Sequence, residues 1–379
     1  MTIYLHIGTP KTGTTSIQTF VDVNAAALAE RGFVVPTNLG KINHRRLVMY
    51  AMDERHFDSL RRSKRIVTPE SVRVYRDKFL PEFRSEIAGW RPDQSIIMTS
   101  EFLMRLRRID ELERLKDLLL LTGQTDIRVI VYLRRQDLYY TSGYSQSMKG
   151  GKEFVFAPEG EISEAANYYD RNLEPWAKVF GQHALVVRPF ERSALKNGDA
   201  VDDFMSLLGV DDLSGLRRPP IRNESLDAYT VEFLRRVNRF VPRKSLGKEN
   251  RVRMRLIQAL EALSDGPKLQ MTRANAERFL QHFEESNRTV ARTYLGQDVL
   301  FREPVAEAAG MEPTLPLDVA QRIGGALLAD TILPRMDTDQ LLEATAQIWN
   351  EFVKPRFAAP AGAAAAESSA GELPERELA

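Results

Sequence analysis

The apolar positions at the start of the chain follow two rhythms. Residues 3–7 form a short, largely apolar run, and the segment beyond places Ile17, Phe20, Val21 and Leu28 at helical spacing. This predicts a strand, a glycine-containing loop, and a helix running from Thr14 or Thr15 to about Arg31, with Gly32 as its C-terminal stop. Three further runs, 95–99 (SIIMT), 128–133 (RVIVYL) and 184–188 (ALVVR), are apolar without alternation, as expected of strands covered on both faces of a parallel sheet. Helical patterns separate them at 109–121, 136–149 and about 167–180. Strand–helix alternation predicts an α/β fold, a mostly parallel sheet flanked by helices. Ligands of such sheets bind at the carboxyl ends of the strands.

Beyond about residue 220 the pattern is helical, with candidates at 225–240, 250–263, 273–295, 317–328 and 338–353. Residues 358–379 (AAPAGAAAAESSAGELPERELA) are low in complexity and predict a disordered tail. The expected organisation is an α/β core over 1–220, a helical C-terminal part of the same unit over 221–357, and the tail.

Composition narrows the function classes. Lys plus Arg number 53 against 52 for Asp plus Glu, a net charge of +1, which argues against a general nucleic-acid binder. With no cysteine there is no disulfide, thiolate metal site or cysteine nucleophile. No basic segment followed by a long apolar stretch opens the chain, and no apolar run has the length of a membrane span. A cytoplasmic protein is the simplest expectation; the oligomeric state is left open.

The first chemistry-bearing segment is HIGTPKTGTTS, residues 6–16. A Walker A loop reads G-x-x-x-x-G-K-[ST]. Gly8 and Gly13 have that separation and Thr15 stands at the Ser/Thr position, but Thr14 occupies the lysine position and the lysine, Lys11, lies inside the loop. A loop joining strand to helix offers unpaired N–H groups and the positive end of a helix dipole to an anion. The second segment is YLRRQDLYYTSGYSQSMKG, residues 132–150. Arg134 follows a strand at its carboxyl end, and Ser142 lies eight residues later, about two helical turns on. A guanidinium grips phosphate with a fork of donors, and a hydroxyl adds another. Two anion sites on neighbouring strand ends suit a nucleotide phosphorylated at both ends of its ribose.

At these residues the chain resembles the sulfotransferases that use 3′-phosphoadenosine 5′-phosphosulfate (PAPS). Pro10-Lys11-Thr12-Gly13-Thr14-Thr15 looks like the family's 5′-phosphosulfate loop, and Arg134-x7-Ser142 like its 3′-phosphate motif. The wording LRRQDLYYTSGYSQS is similar to the glycan branch, such as the heparan sulfate 3-O-sulfotransferases. The resemblance covers about residues 1–220 and implies a bacterial-type enzyme moving a sulfuryl group from PAPS to a hydroxyl, on a carbohydrate acceptor, without a metal. It also accounts for the displaced lysine: in the family the loop lysine contacts the phosphosulfate beside the bridging oxygen, which gains charge as the S–O bond breaks.

Transfer to a hydroxyl benefits from a base, and family members use His or Glu. His44, in GKINHRRL, is the preferred candidate, since an imidazole near pKa 6.5 suits the task. Glu101, in MTSEFL, follows a strand on the ligand side and is the rival, though it also suits a helix's first turn. His6 lies within the first strand and is read as structural. The basic stretch RKSLGKENR supplies Lys244 and Lys248, which could reach the 3′-phosphate or the adenine edge, as late loops of the family do. RRSKR, residues 61–65, could steer an acidic glycan or be a solvated face. Two other readings stand beside the sulfotransferase: a P-loop small-molecule kinase using ATP and Mg²⁺, and a non-catalytic binding module on the same fold.

Overall fold

The computed structural model describes residues 1–158, 168–219, 225–245, 248–305 and 310–327, with positions 347 and 350. Its centre is a five-stranded parallel sheet of β1 (Thr2–His6), β2 (Phe33–Val34), β3 (Ser95–Thr99), β4 (Asp126–Leu133) and β5 (Leu185–Pro189), in the order β2-β3-β1-β4-β5. The segment through residue 207 adds α1 (Thr14–Val23), α2 (Ala25–Glu30), α3 (Arg45–Ala51), α4 (Ser59–Ser63), α5 (Pro69–Ile87), α6 (Ile109–Leu120), α7 (Gln136–Lys149), α8 (Tyr169–Phe180) and α9 (Ala200–Leu207). The remainder contributes α10 (Ala228–Val237), α11 (Arg251–Ala262), α12 (Arg273–Gln281), α13 (Glu284–Val290) and α14 (Leu317–Leu327). The fold is α/β, with the parallel sheet flanked by helices.

Continuous apolarity in the strands is explained by their two covered faces. Side chains of a strand alternate between faces. Ile3, Leu5, Ile96, Met98, Val129 and Val131 enter the core beneath α3, α5, α6 and α8. Their neighbours Tyr4, Ile97, Ile130 and Tyr132 enter the core beneath α1 and α9. Each buried aliphatic side chain contributes about 1.5–3 kcal/mol, so the centres of the strands are apolar on both faces.

Three sequence expectations are revised. The helix expected from Thr14 to Arg31 breaks at Asn24, whose side-chain amide donates to Phe20 O at 2.8 Å and Arg217 O at 2.9 Å and accepts Arg217 N–H at 2.8 Å. A side chain that bonds backbone in this way competes with the helix. The helix expected at 273–295 becomes α12, α13 and a π-helical turn, Ala291–Leu295, with a break that buries both Phe279 and Phe283, rings 5.1 Å apart. Within RRSKR, Arg61 is no steering charge: it is fully buried, and its guanidinium donates to the carbonyls of Met49, Met52, Asp53 and His56. Burial pushes it down to about 10. The helix expected at 338–353 lies almost wholly outside the described residues, and the tail at 358–379 lies entirely outside them.

The C-terminal helices are built onto the sheet domain. Val290, Ala291 and Leu300 belong to the same core as β1 and β4. Leu226, Val231, Leu234, Leu256 and Leu260 pack around Tyr144 and Met148 of α7.

Candidate functional site

Strand order places the site. The connection leaving β1 runs toward β2 and β3, and the one leaving β4 runs toward β5, so a crevice opens between the carboxyl ends of β1 and β4. The loop of residues 7–13 follows β1, Arg134 follows β4, and Glu101 follows β3 on the other side of β1. The predicted segments therefore lie at three adjacent strand ends.

The loop first continues the pairing with β4: Thr9 N–H donates to Tyr132 O at 2.9 Å and Tyr132 N–H to Gly8 O at 2.8 Å. Thr9 Oγ1 donates to Tyr132 O at 3.0 Å, and Thr12, fully buried, donates to Thr9 O at 2.5 Å. Both glycines are required. At Gly8, φ is +109° and an added Cβ would lie 3.1 Å from Glu101 Cα. At Gly13, φ is +71° and an added Cβ would lie 2.8 Å from the Cβ of Ala200. Lys11 also holds a left-handed φ of +69°, which for a lysine costs energy and is seen most at ligand-binding turns. Gly13 caps α1 without a side chain, and the first helical bond runs from Ile17 N–H to Gly13 O at 3.1 Å. The amides of Thr14, Thr15 and Ser16 therefore have no partner within the helix. Pro10, Lys11 and Gly13 are half-buried, Thr14 is buried and Thr15 is exposed.

Cations gather on this loop. Lys11 Nζ donates to Gln146 Oε1 on α7 at 2.9 Å. Burial first, then Lys149, then Arg134, all push the Lys11 ammonium below the usual lysine range. Arg134 Nη1 donates to Lys11 O at 2.9 Å, and its buried Nε finds no partner. One prong of the expected phosphate fork is thus committed to the loop, leaving Nε and Nη2. Burial lowers the Arg134 pKa. Ser142 is buried one helical turn before Gln146, so it shares the face of α7 that meets Lys11.

Beside Gln146 a cavity of about 240 Å³ is lined by Lys149, Arg243, Asn250 and Arg253. Arg253 is 2% exposed and caps α7 by donating to Met148 O at 2.8 Å and Lys149 O at 3.1 Å; its Nε is buried without a partner. Lys149 pairs with Glu261 at 2.7 Å. Lys244 and Lys248 are in the adjoining antiparallel hairpin of β6 (Lys244–Ser245) and β7 (Lys248–Glu249). Their side chains lie outside the described residues.

On the opposite side of the loop, Glu101 opens a 3-10 turn, Glu101–Arg105. Its Oε2 accepts from Gln18 Nε2 of α1 and from Asn43 Nδ2 at 2.7 Å. Ser100 Oγ donates to Asn43 Oδ1 at 2.7 Å, which fixes the orientation of that amide. Two amides thus hold one oxygen of the carboxylate and leave Oε1 to meet a proton.

His44 is placed differently from its expected role as the base. It is 2% exposed, and it ties the start of α3 to β3: its N–H donates to Thr99 O at 3.0 Å and its Nδ1 accepts Thr99 N–H at 3.1 Å. With Nδ1 accepting, the neutral ring carries its proton on Nε2 and presents a donor. Burial pushes it down to about 4. Of the two candidates, His44 has its Nδ1 acceptor engaged by the backbone, whereas Glu101 has only Oε2 held by the two amides. His6, as expected, is structural: fully buried, with Nδ1 2.7 Å from Thr99 Oγ1.

Sequence reasoning missed Gln18, Asn43, Gln146, Lys149 and Arg253. Gln18 alone left a signal, a polar residue within the apolar stripe of α1, where it is 3% exposed.

No protein-family model and no solved structure matches the chain. An uncharacterized protein of Archaeoglobus fulgidus is 27% identical over 243 residues, 59% of this chain and 65% of that protein. The chain thus spans 65% of that relative's length.

Proposed function

We propose that the protein is a PAPS-dependent sulfotransferase that moves a sulfuryl group to a hydroxyl of a carbohydrate-containing acceptor, with no metal in the reaction. The observation that carries this reading is the gathering of Lys11, Arg134 and Lys149 around a left-handed loop whose helix-start amides are unpartnered. A half-buried ammonium pushed down by burial and by two neighbouring cations favours an anion beside it. The second cationic recess, at Lys149, Arg243 and Arg253, suits a nucleotide carrying two separate anionic groups. The unpartnered Nε atoms of Arg134 and Arg253 fit the same demand.

In this reading the donor supplies the sulfuryl group and an adenosine bisphosphate as leaving group. The amides of Gly13, Thr14 and Thr15 bind the 5′ end. Lys11 stabilises charge developing on the bridging oxygen. Arg134, Ser142 and the Arg253 recess hold the 3′ end. Glu101 Oε1 takes the proton of the attacking hydroxyl, a contribution of about 10²–10⁴-fold. Gln18 and Asn43 act as positioning residues for it.

Calorimetric titration with adenosine 3′,5′-bisphosphate tests the donor site, with ATP plus Mg²⁺ in parallel. The expected result is selective bisphosphate binding that Arg134→Ala weakens at least tenfold, about 1.4 kcal/mol. Selective binding of ATP with Mg²⁺ would replace this reading with a kinase. Binding of neither by the folded protein would leave the non-catalytic module.

A further inference from the structure

Resting on that reading, the residues beside Glu101 bear on the chemistry of the acceptor. The 3-10 turn that Glu101 opens runs through Phe102 to Arg105, and Arg107 follows it two residues later. Arg45 stands two residues after Asn43, which holds Glu101. The guanidinium carbon of Arg45 lies over the Phe102 ring, 5.3 Å from its centre, and that of Arg105 lies 4.4 Å from the same centre. Tyr139 of α7 faces this turn: burial raises its hydroxyl, and the neighbouring charges of Arg107 and then Arg105 lower it. Three exposed arginines thus gather around Phe102, the residue that follows the candidate base in the chain.

Acids do not match these charges. Arg105 pairs with Asp58 at 3.0 Å, and that carboxylate, 9% exposed, also accepts Arg61 N–H at 3.0 Å. No ion pair engages Arg45 or Arg107 among the described residues. Burial lowers the Arg107 pKa, and the group opposing that fall is the phenol of Tyr139, not a carboxylate. The next arginine shows the contrast: Arg108 pairs with Asp110 at 2.9 Å and with Asp53 at 3.6 Å. The remaining acid, Glu101, already has Oε2 held by Gln18 and Asn43.

Such a cluster discriminates by charge. A guanidinium offers a fork of donors and no acceptor, and it meets a carboxylate through two parallel bonds. A charge-assisted bond is roughly twice as strong as the neutral bond a sugar hydroxyl makes. A cationic acceptor would be repelled by the two arginines that lack an acid. We propose that Arg45 and Arg107, framed by Phe102 and Arg105, form an anion subsite for the acceptor, so that the hydroxyl meeting Glu101 belongs to a hydroxylated acid such as a uronic acid rather than to a neutral sugar. The face of Phe102 orients Arg45 and Arg105. Asp58 fixes Arg105, which leaves Arg45 and Arg107 to read the charge.

Methyl β-D-glucuronide and methyl β-D-glucoside differ by one carboxylate. Calorimetric titration of each into the full chain at neutral pH, with and without adenosine 3′,5′-bisphosphate, isolates the contribution of that charge. The glucuronide is expected to bind at least about tenfold more tightly, by an advantage that shrinks as salt is raised. Arg45→Gln combined with Arg107→Gln is expected to erase the advantage while bisphosphate affinity is retained. Both side chains are exposed, and thermal melting checks that the variant folds. Each single substitution is expected to remove part of the advantage and replaces the double variant if that one fails to fold. Equal affinities for the two sugars, binding of neither, or an advantage that survives the substitutions would overturn the proposal, and the donor reading would stand wherever the bisphosphate still binds. A glucuronide advantage that the substitutions erase, seen in a protein that does not bind the bisphosphate, would uphold the anion subsite and remove the donor reading instead.

Discussion

Glu101 and His44 show how little residue type says about role. Both sit at the carboxyl edge of β3, and by intrinsic pKa the imidazole is the better base at neutral pH. Burial reverses the order: the Nδ1 lone pair of His44 is engaged by Thr99 N–H, whereas Glu101 keeps one oxygen outside its two amide bonds. Glu101→Gln preserves shape and should preserve bisphosphate affinity within about twofold, while turnover falls by about 10²–10⁴. His44→Asn should lower turnover by less than tenfold. Parallel transfer assays with labelled PAPS decide between them; the opposite ranking would restore His44 as the base. The clamp on Glu101 was hard to read in the sequence because Gln18 and Asn43 are 25 positions apart, lie 83 and 58 positions from Glu101, and meet it only in three dimensions.

The loop shows what a whole element requires. Two constraints fall on Gly13 at once, a left-handed φ and the approach of Ala200 at the start of α9. Gly13→Ala is expected to destabilise the fold by more than the ~1 kcal/mol of an αL alanine alone, and to weaken bisphosphate binding at least tenfold because the helix-start amides are displaced. Adding Ala200→Gly removes the contact but leaves the strained φ, so it should recover part of the stability. Thermal melting and titration of the single and double variants measure the split; full recovery would mean that the backbone conformation contributes nothing. At this scale the sequence was most informative. The strands were legible because both sheet faces are buried and their central positions are apolar. Where a distant partner decides, as Arg217 does at Asn24, the helical spacing gave no warning of the break. The cationic recess formed by α7 and α11 was hidden for the same reason: Lys149 and Arg253 read as ordinary helix charges until α11 packs on α7.

Across the whole molecule, the sheet's carboxyl edge couples the site to stability. Thr99 stands between two buried histidines, its hydroxyl 2.7 Å from His6 Nδ1 and its N–H donating to His44 Nδ1. Burial pushes His6 down to about 3 and His44 down to about 4. An unfolded chain protonates both near pH 6.5. Above that pH neither form binds the proton and the rings leave stability unchanged with pH. As pH falls below it, the unfolded state takes up protons that the folded state refuses, so stability declines, until each ring titrates in the folded protein. The loss is about 1.4 kcal/mol per pH unit for each ring, or roughly 4 kcal/mol for both between pH 7.5 and 5. Most carboxylates titrate below this window, so histidine dominates it. Urea denaturation at pH 7.5, 6 and 5 is expected to show the decline, and His44→Asn to remove about half of it. Stability that stays flat or rises on acidification to pH 5 would mean that the rings are solvated and that the floor of the site is open to water.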